Sequence, residues 1–147
     1  MKTVIVAGGF DPPHRGHCDH LKKAKALGDR LTVITHPDYV LVKKKGYCLL
    51  PLADRIENLR ENRRVDDVVV SIDEDGTVTK TLEMIRQTVS GDLIFAKGGD
   101  RTPETMPEGE IIACKKLGIK IVYGIGDKLG SSRDLVANAM KQLRGLS

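Results

Sequence analysis

"TVIVAGGFDPPHRGHCDHL", residues Thr3–Leu21, is the stretch that decides the fold. Its first five residues are apolar or β-branched without a charged interruption, as in a strand covered on both faces. Gly8 and Gly9 follow, and Asp11, Pro12 and Pro13 then shape a stiff turn. A helical pattern runs over Gly16–Leu27 and stops at Gly28, a residue suited to the position just past a helix. A strand that passes through glycines into a helix opens a parallel βαβ unit. His14, His17 and His20 stand at that junction. Three readings are open for them: a metal site, donors to an anion at the helix N-terminus, or incidental side chains.

The alternation continues along the chain. Strands are expected over Lys2–Ala7, Arg30–His36, Asp67–Ile72, Asp92–Lys97 and Ile119–Ile125. Helices are expected over Leu52–Arg63 after Pro51, Val78–Thr88 after the turn "DEDG", Pro107–Leu117 ending at Gly118, and Ser132–Arg144. This order predicts an α/β fold, a Rossmann-like doubly wound five-stranded parallel sheet with helices on both faces. No repeat, low-complexity tract or linker breaks the pattern, so residues 1–147 are expected to form a single domain.

The bulk numbers agree with a globular chain: 40% hydrophobic and 30% charged residues. Aromatic residues make up 3% with no Trp, which argues against a base-stacking nucleic-acid surface. Lys and Arg (24) exceed Asp and Glu (20) by 4, a surplus that suits an anionic small substrate and equally a solubility charge. No apolar run approaches the length of a membrane span, and Met1 leads into a strand rather than a signal peptide. Cys18, Cys48 and Cys114 are odd in number and form no C-x-x-C pair, as expected of reduced thiols in a cytoplasmic protein.

In doubly wound sheets ligands sit beyond the carboxyl ends of the strands. Four segments that leave strand ends carry unusual chemistry: "GGFDPPHRGH", "KKKGYCLLPLADR", "KGGDRTPE" and "GDKLGSSRD". The fold brings all four to one edge. Gly8 and Gly9 let the backbone approach phosphates where a side chain would clash. His14 and His17, three apart, fall on one side of the first helical turn and add donors to its free N–H groups and positive dipole end. The metal reading would use His14, His17, Cys18 and His20, but a structural zinc site usually brings a cysteine pair. Helical geometry points His20 away from His14 and His17, toward the surface. Cys18 is expected to be a small buried apolar residue. Asp73, Glu74 and Asp75 read as a solvent-facing acidic turn, Met84 and Met140 as core, Arg63 and Arg64 as helix-end charges, and "KKK" (Lys43–Lys45) by itself as a solvated basic loop.

"GGFDPPHRGH" resembles the G-x-F-D-x-x-H-x-G-H signature of the cytidylyltransferase-like nucleotidyltransferases. The likeness extends over nearly the whole chain. "AKALGDRLTVIT" looks like the family's first helix and second strand, and "KGYCLLPLADR" like its Lys-Gly loop leading to a helix arginine. "AKGGDRTPE" with "MPEGEI" is similar to the nucleotidyl domain of ADP-heptose synthase, and "GSSRDLV" to the family's turn into its last helix. The resemblance implies that His14 and His17 contact the triphosphate and stabilise the transition state. It puts Gly8, Gly9, Phe10 and Asp11 against the nucleotide, and Gly98, Gly99 and Asp100 near nucleotide and ribose. Ser131 and Ser132 take the phosphate-holding turn, Lys44 or Lys45 the phosphate-binding lysine, and Arg55 the helix arginine near the phosphates. His14, His17, Lys44 and Arg55 are thus the expected catalytic set, with no protein metal-ligand set expected.

The implied function is transfer of a nucleoside monophosphate from ATP or CTP to a small phosphorylated acceptor such as a sugar phosphate, with release of pyrophosphate. Mg²⁺ would come with the triphosphate, and a homodimer is implied by the family alone. Neither a nucleic-acid nor a membrane partner is expected. Alternatives are cytidylyl transfer to glycerol 3-phosphate or a related alcohol phosphate, and a nucleotide-binding sensor without turnover. Two departures bear on the base. Gly126 stands where glycerol-3-phosphate cytidylyltransferases carry an arginine, with Lys128 or Arg133 as possible substitutes. "FDPPH" is also closer to the nicotinate- and pantetheine-type adenylyltransferases.

Overall fold

Val4, Ile5 and Val6 of the opening strand are fully buried, as a strand covered on both faces requires. The computed structural model describes residues 1–146. The elements run β1 (Lys2–Ala7), α1 (Arg15–Lys25), β2 (Arg30–Thr35), α2 (Asp38–Lys45), α3 (Leu52–Arg60), β3 (Asp67–Val70), α4 (Thr79–Thr88), β4 (Asp92–Ala96), α5 (Glu108–Leu117), β5 (Ile119–Val122) and α6 (Ser132–Arg144). The sheet is wholly parallel in the order β3-β2-β1-β4-β5, with Val4 opposite Leu31 on one side and Ile94 on the other. The chain therefore reverses direction across the sheet between β1 and β4, where a doubly wound fold opens its ligand crevice.

Alternate strand residues feed two cores. Val4, Val6, Leu31, Val33 and Ile94 pack against Leu21 and Ala24 of α1 and Leu59 of α3. Ile5, Ile34, Leu93 and Phe95 pack on the opposite face against Leu82 and Ile85 of α4 and Cys114 of α5. The expected Rossmann-like doubly wound sheet is the observed fold. Four strands end one to three residues earlier than their apolar runs suggest, because His36, Ser71, Lys97 and Tyr123 leave the ladder to build the carboxyl edge.

Several expectations are corrected. The "KKK" segment is the last turn of α2 rather than a loop; this helix buries only Val40 and Leu41 and ends at Gly46 with φ +88°. Asp73 is 2% exposed and faces inward, accepting from the backbone N–H groups of Lys80 and Thr81 at the start of α4 and from the Thr81 hydroxyl. Met140 is 53% exposed because α6 has no buried residue, and Met84 is only half-buried. Cys18 is exposed rather than buried.

Candidate active site

The strand-to-helix junction is shaped by backbone demands first. Gly8 donates its N–H to the Ile34 carbonyl at 3.0 Å, and Phe10 adopts φ +53° with its ring under Gly8 and 4.8 Å from that of His17. His14 is the N-cap of α1. Its Nδ1 accepts the Gly16 N–H at 3.0 Å, while His17 Nδ1 accepts the His14 N–H at 3.2 Å. Two imidazoles thus form a reciprocal cap of the kind usually made by Ser and Glu. Their rings stack with centroids 3.9 Å apart. A Cβ on Gly16 would stand 2.8 Å from His14 Cε1, which accounts for the glycine of H-x-G-H.

This cap fixes protonation. Burial lowers the His14 pKa, and burial followed by the fields of His14, His20 and Lys45 holds His17 at about 3. Both rings are neutral at pH 7. With each Nδ1 accepting, the proton sits on Nε2, so each side chain offers a neutral Nε2–H donor. His20 is corrected from the surface: it is half-buried, and its Nδ1 lies 2.6 Å from the Ile125 carbonyl, tying α1 to the segment that follows β5.

Two cavities open at the carboxyl edge. One, of about 260 Å³, is lined by Gly8, Gly9, Phe10, Asp11, His17, His36, Lys44, Lys45, Lys97, Arg101 and Glu110, among others. The second, of about 350 Å³, is lined by His14, His20, Gly98, Gly99, Asp100 and Ser131 with residues of the 125–130 segment. His17, Ser132 and Arg133 line both and form the shared wall. All four sequence segments therefore meet here, and every expected site residue except Arg55 lines one cavity or the other.

Arg55 is a correction to the expected catalytic set. It is 0% exposed, with Nε donating to the Leu50 carbonyl, Nη1 to Gly9 O, Thr35 Oγ1 and His36 O, and Nη2 to Asp38 Oδ1. Its guanidinium braces the glycine loop from behind and lines neither cavity. Asp11, 1% exposed, is likewise engaged within the chain. It accepts the Leu49 and Leu50 N–H groups at 2.7 and 2.6 Å and lies 3.5 Å from Lys45 Nζ. Both lysines line the first cavity, Lys45 paired with Asp11 and Lys44 with its pKa lowered by burial and by Arg101.

The 97–99 and 124–126 segments meet closely. Lys97 O accepts the Ile125 N–H, and a Cβ on Gly99 would stand only 2.2 Å from Gly126 O. Gly126 has φ +94°, and its own Cβ would lie 3.0 Å from His20 Cα. A side chain at 126 would be strained by this φ and crowded against the His20 backbone. Lys128 pairs with Asp100 at 3.3 Å, leaving Arg133 as the cation on the shared wall. Ser131 caps α6, accepting the Asp134 N–H at 3.3 Å, and Ser132 donates its hydroxyl to the Pro12 carbonyl at 2.8 Å.

Sequence reasoning missed His36, Lys97, Arg101 and Glu110 as cavity residues. Lys97 and Arg101 lie inside the quoted "KGGDRTPE", the signal that points to them. Glu110 lies inside the quoted "MPEGEI", where the helix pattern does not distinguish a side chain facing a cavity from one facing solvent. Among the described residues no cluster of three or more His, Cys, Asp or Glu side chains has metal-site geometry.

Residues 5–123 match the cytidylyltransferase-like family. FAD synthase of Pyrococcus abyssi is 37% identical over 119 residues, covering 80% of this chain and 75% of that protein. Bifunctional protein HldE of Streptomyces coelicolor is 39% identical over 113 residues, covering 75% of this chain but 23% of that longer one. The crystal structure of a lipopolysaccharide core biosynthesis protein from Thermoplasma volcanium superposes with a TM-score of 0.69 at 28% identity, covering 86% of this chain and 98% of that one. The chain belongs to the cytidylyltransferase-like family of nucleotidyltransferases.

Proposed function

We propose that residues 1–147 work as one nucleotidyltransferase domain that transfers a nucleoside monophosphate from ATP or CTP to a small phosphorylated acceptor. The observation that carries this reading is the shared wall: His17, Ser132 and Arg133 line both cavities. A triphosphate in the second cavity and an acceptor phosphate in the first would meet there. An acceptor phosphate oxygen forms a bond to the α-phosphorus in line. The bond from that phosphorus to the bridging oxygen breaks, and pyrophosphate leaves with the electron pair. No covalent enzyme intermediate is needed, so catalysis is positioning plus charge stabilisation.

The neutral Nε2–H donors of His14 and His17 are set before charge develops on the phosphorus oxygens. Lys44 and Arg133 supply positive charge to acceptor phosphate and leaving pyrophosphate. The N-terminus of α6 adds its free N–H groups and dipole, and Gly98, Gly99 and Asp100 border the nucleoside. The carboxylates fit a cation brought by the triphosphate rather than a protein-held one, since Asp11 is engaged by two backbone N–H groups and Lys45. Mg²⁺, which dehydrates reluctantly and is usually held through substrate phosphates, suits that arrangement and would neutralise the polyphosphate. Homodimerisation and a cytoplasmic setting belong to this reading through the family and the three free cysteines. The test is pyrophosphate release with ATP and CTP against a panel of phosphorylated acceptors. Absence of release with every pair, in protein that binds triphosphate, would leave a nucleotide-binding sensor instead.

A further inference from the structure

Three side chains close the first cavity without taking part in the histidine cap or the α6 turn: His36, Lys97 and Glu110. His36 is 4% exposed, and its Nδ1 is buried without a hydrogen-bond partner. Burial, then Lys44 and Arg55, hold its pKa at about 4, so the ring is neutral and one of its nitrogens is an acceptor. Glu110 is also 4% exposed. Its Oε2 accepts the Val78 N–H at 3.0 Å, while Oε1 makes no hydrogen bond and lies 3.5 Å from Lys97 Nζ. Lys97 Nζ is held over the Phe95 ring, 4.4 Å from its centroid. Buried polar atoms are normally satisfied, and both residues line a cavity that a ligand would fill.

We infer that His36, Lys97 and Glu110 read the acceptor, and that the acceptor is a phosphate ester with hydroxyl groups on the carbons next to the phosphate, as in a polyol, ribityl or sugar phosphate. The inference rests on the nucleotidyl-transfer reading above. A hydroxyl donates to the imidazole nitrogen or to Glu110 Oε1 and accepts from Lys97 Nζ, so hydroxyls supply the partners this recess lacks. A plain alkyl stem offers no hydrogen-bond partner to the His36 imidazole or to the Lys97–Glu110 pair. An ammonium-bearing stem meets Lys44, Lys97 and Arg101, while Glu110 already faces Lys97 and Asp11 already faces Lys45.

The test measures kcat/KM for pyrophosphate release by the purified chain with ATP or CTP. Acceptors are glycerol 3-phosphate, glucose 1-phosphate, FMN, propyl phosphate and phosphoethanolamine. Propyl phosphate matches glycerol 3-phosphate in length but lacks its hydroxyls. A hydroxylated acceptor should exceed both propyl phosphate and phosphoethanolamine by at least roughly 10²-fold, the scale set by a site whose polar groups are otherwise left unpaired. His36→Leu and Lys97→Met should each raise acceptor KM and shrink that ratio about tenfold or more, with triphosphate affinity by calorimetry retained. If one variant does not fold, the other carries the comparison. Propyl phosphate or phosphoethanolamine as the best acceptor, or a ratio unchanged in the folded variants, overturns the inference and leaves nucleotidyl transfer standing. No turnover of any acceptor overturns both.

Discussion

His14 and His17 cap the same helix through each other: the His17 imidazole accepts the His14 N–H at 3.2 Å, and the two rings stack at 3.9 Å. Each ring is thereby fixed in one tautomer with Nε2–H free. Replacing either by Ala should lower kcat roughly 10²–10³-fold, the scale of one positioned donor, with a smaller loss in triphosphate affinity. Steady-state kinetics beside calorimetric binding check this. Near-normal turnover in both variants would remove the histidines from the chemistry.

The low pKa values have two consequences of opposite visibility. His17, at about 3, stays neutral through the physiological range, so kcat/KM should show no imidazole inflection near pH 6.5 from His17. Stability behaves differently. His17 and His36 have folded-state pKa values of about 3 and about 4, below the ordinary 6.5, so the unfolded chain binds more protons in acid. Their contribution is full above pH 6.5 and is lost as pH falls toward those values. Denaturant titrations from pH 8 to pH 4 should show a declining unfolding free energy, and His36→Leu should flatten that slope. A slope unchanged by this substitution would contradict the assignment.

Arg55 should matter for folding before anything else. Arg55→Met leaves the carbonyls of Gly9, Leu50 and His36 without this donor, at about 1.5–3 kcal/mol for each hydrogen bond to a charged group. Chemical denaturation should show a severely destabilised protein. Asp38→Asn, altering a carboxylate whose side chain is 49% exposed, should cost far less. Full stability of Arg55→Met would reopen a ligand-facing role.

The α6 turn separates capping from binding. Ser131→Ala should cost about 1 kcal/mol, an ordinary N-cap loss. Arg133 is exposed and lines both cavities, so Arg133→Ala should leave the melting temperature nearly unchanged while weakening triphosphate binding. Ser132→Ala should do some of each, because its hydroxyl ties α6 to Pro12. Unaltered triphosphate affinity in all three would reduce this turn to a helix start.

Gly99 and Gly126 are tested together. Gly99→Ala places a methyl against the Gly126 carbonyl, with the ideal Cβ at 2.2 Å. It should therefore be destabilising and displace the segment bordering the second cavity. Gly126→Arg should lower stability instead of restoring the arginine of glycerol-3-phosphate cytidylyltransferases, since a Cβ is strained at φ +94° and crowded by the His20 backbone. A stable Gly126→Arg protein with raised CTP affinity would contradict this account.

The sequence by itself determined the βαβ order, the parallel sheet, the H-x-G-H junction and the edge on which the four segments converge. These are legible because hydrophobic period, glycine and proline placement and helix capping act over a few residues. Only the tertiary structure decided which polar side chains face inward. Arg55, Asp11 and Asp73 look like site or surface charges in the sequence, yet each is buried against backbone groups brought up by the fold. Conversely, His36, Lys97 and Glu110 come from the ends of β2 and β4 and the first turn of α5, with no shared pattern to connect them. Burial and pairing depend on what packs opposite, and the partners here lie tens of residues apart. No local periodicity encodes that, and the parallel sheet supplies it by bringing the carboxyl ends of its strands to one edge.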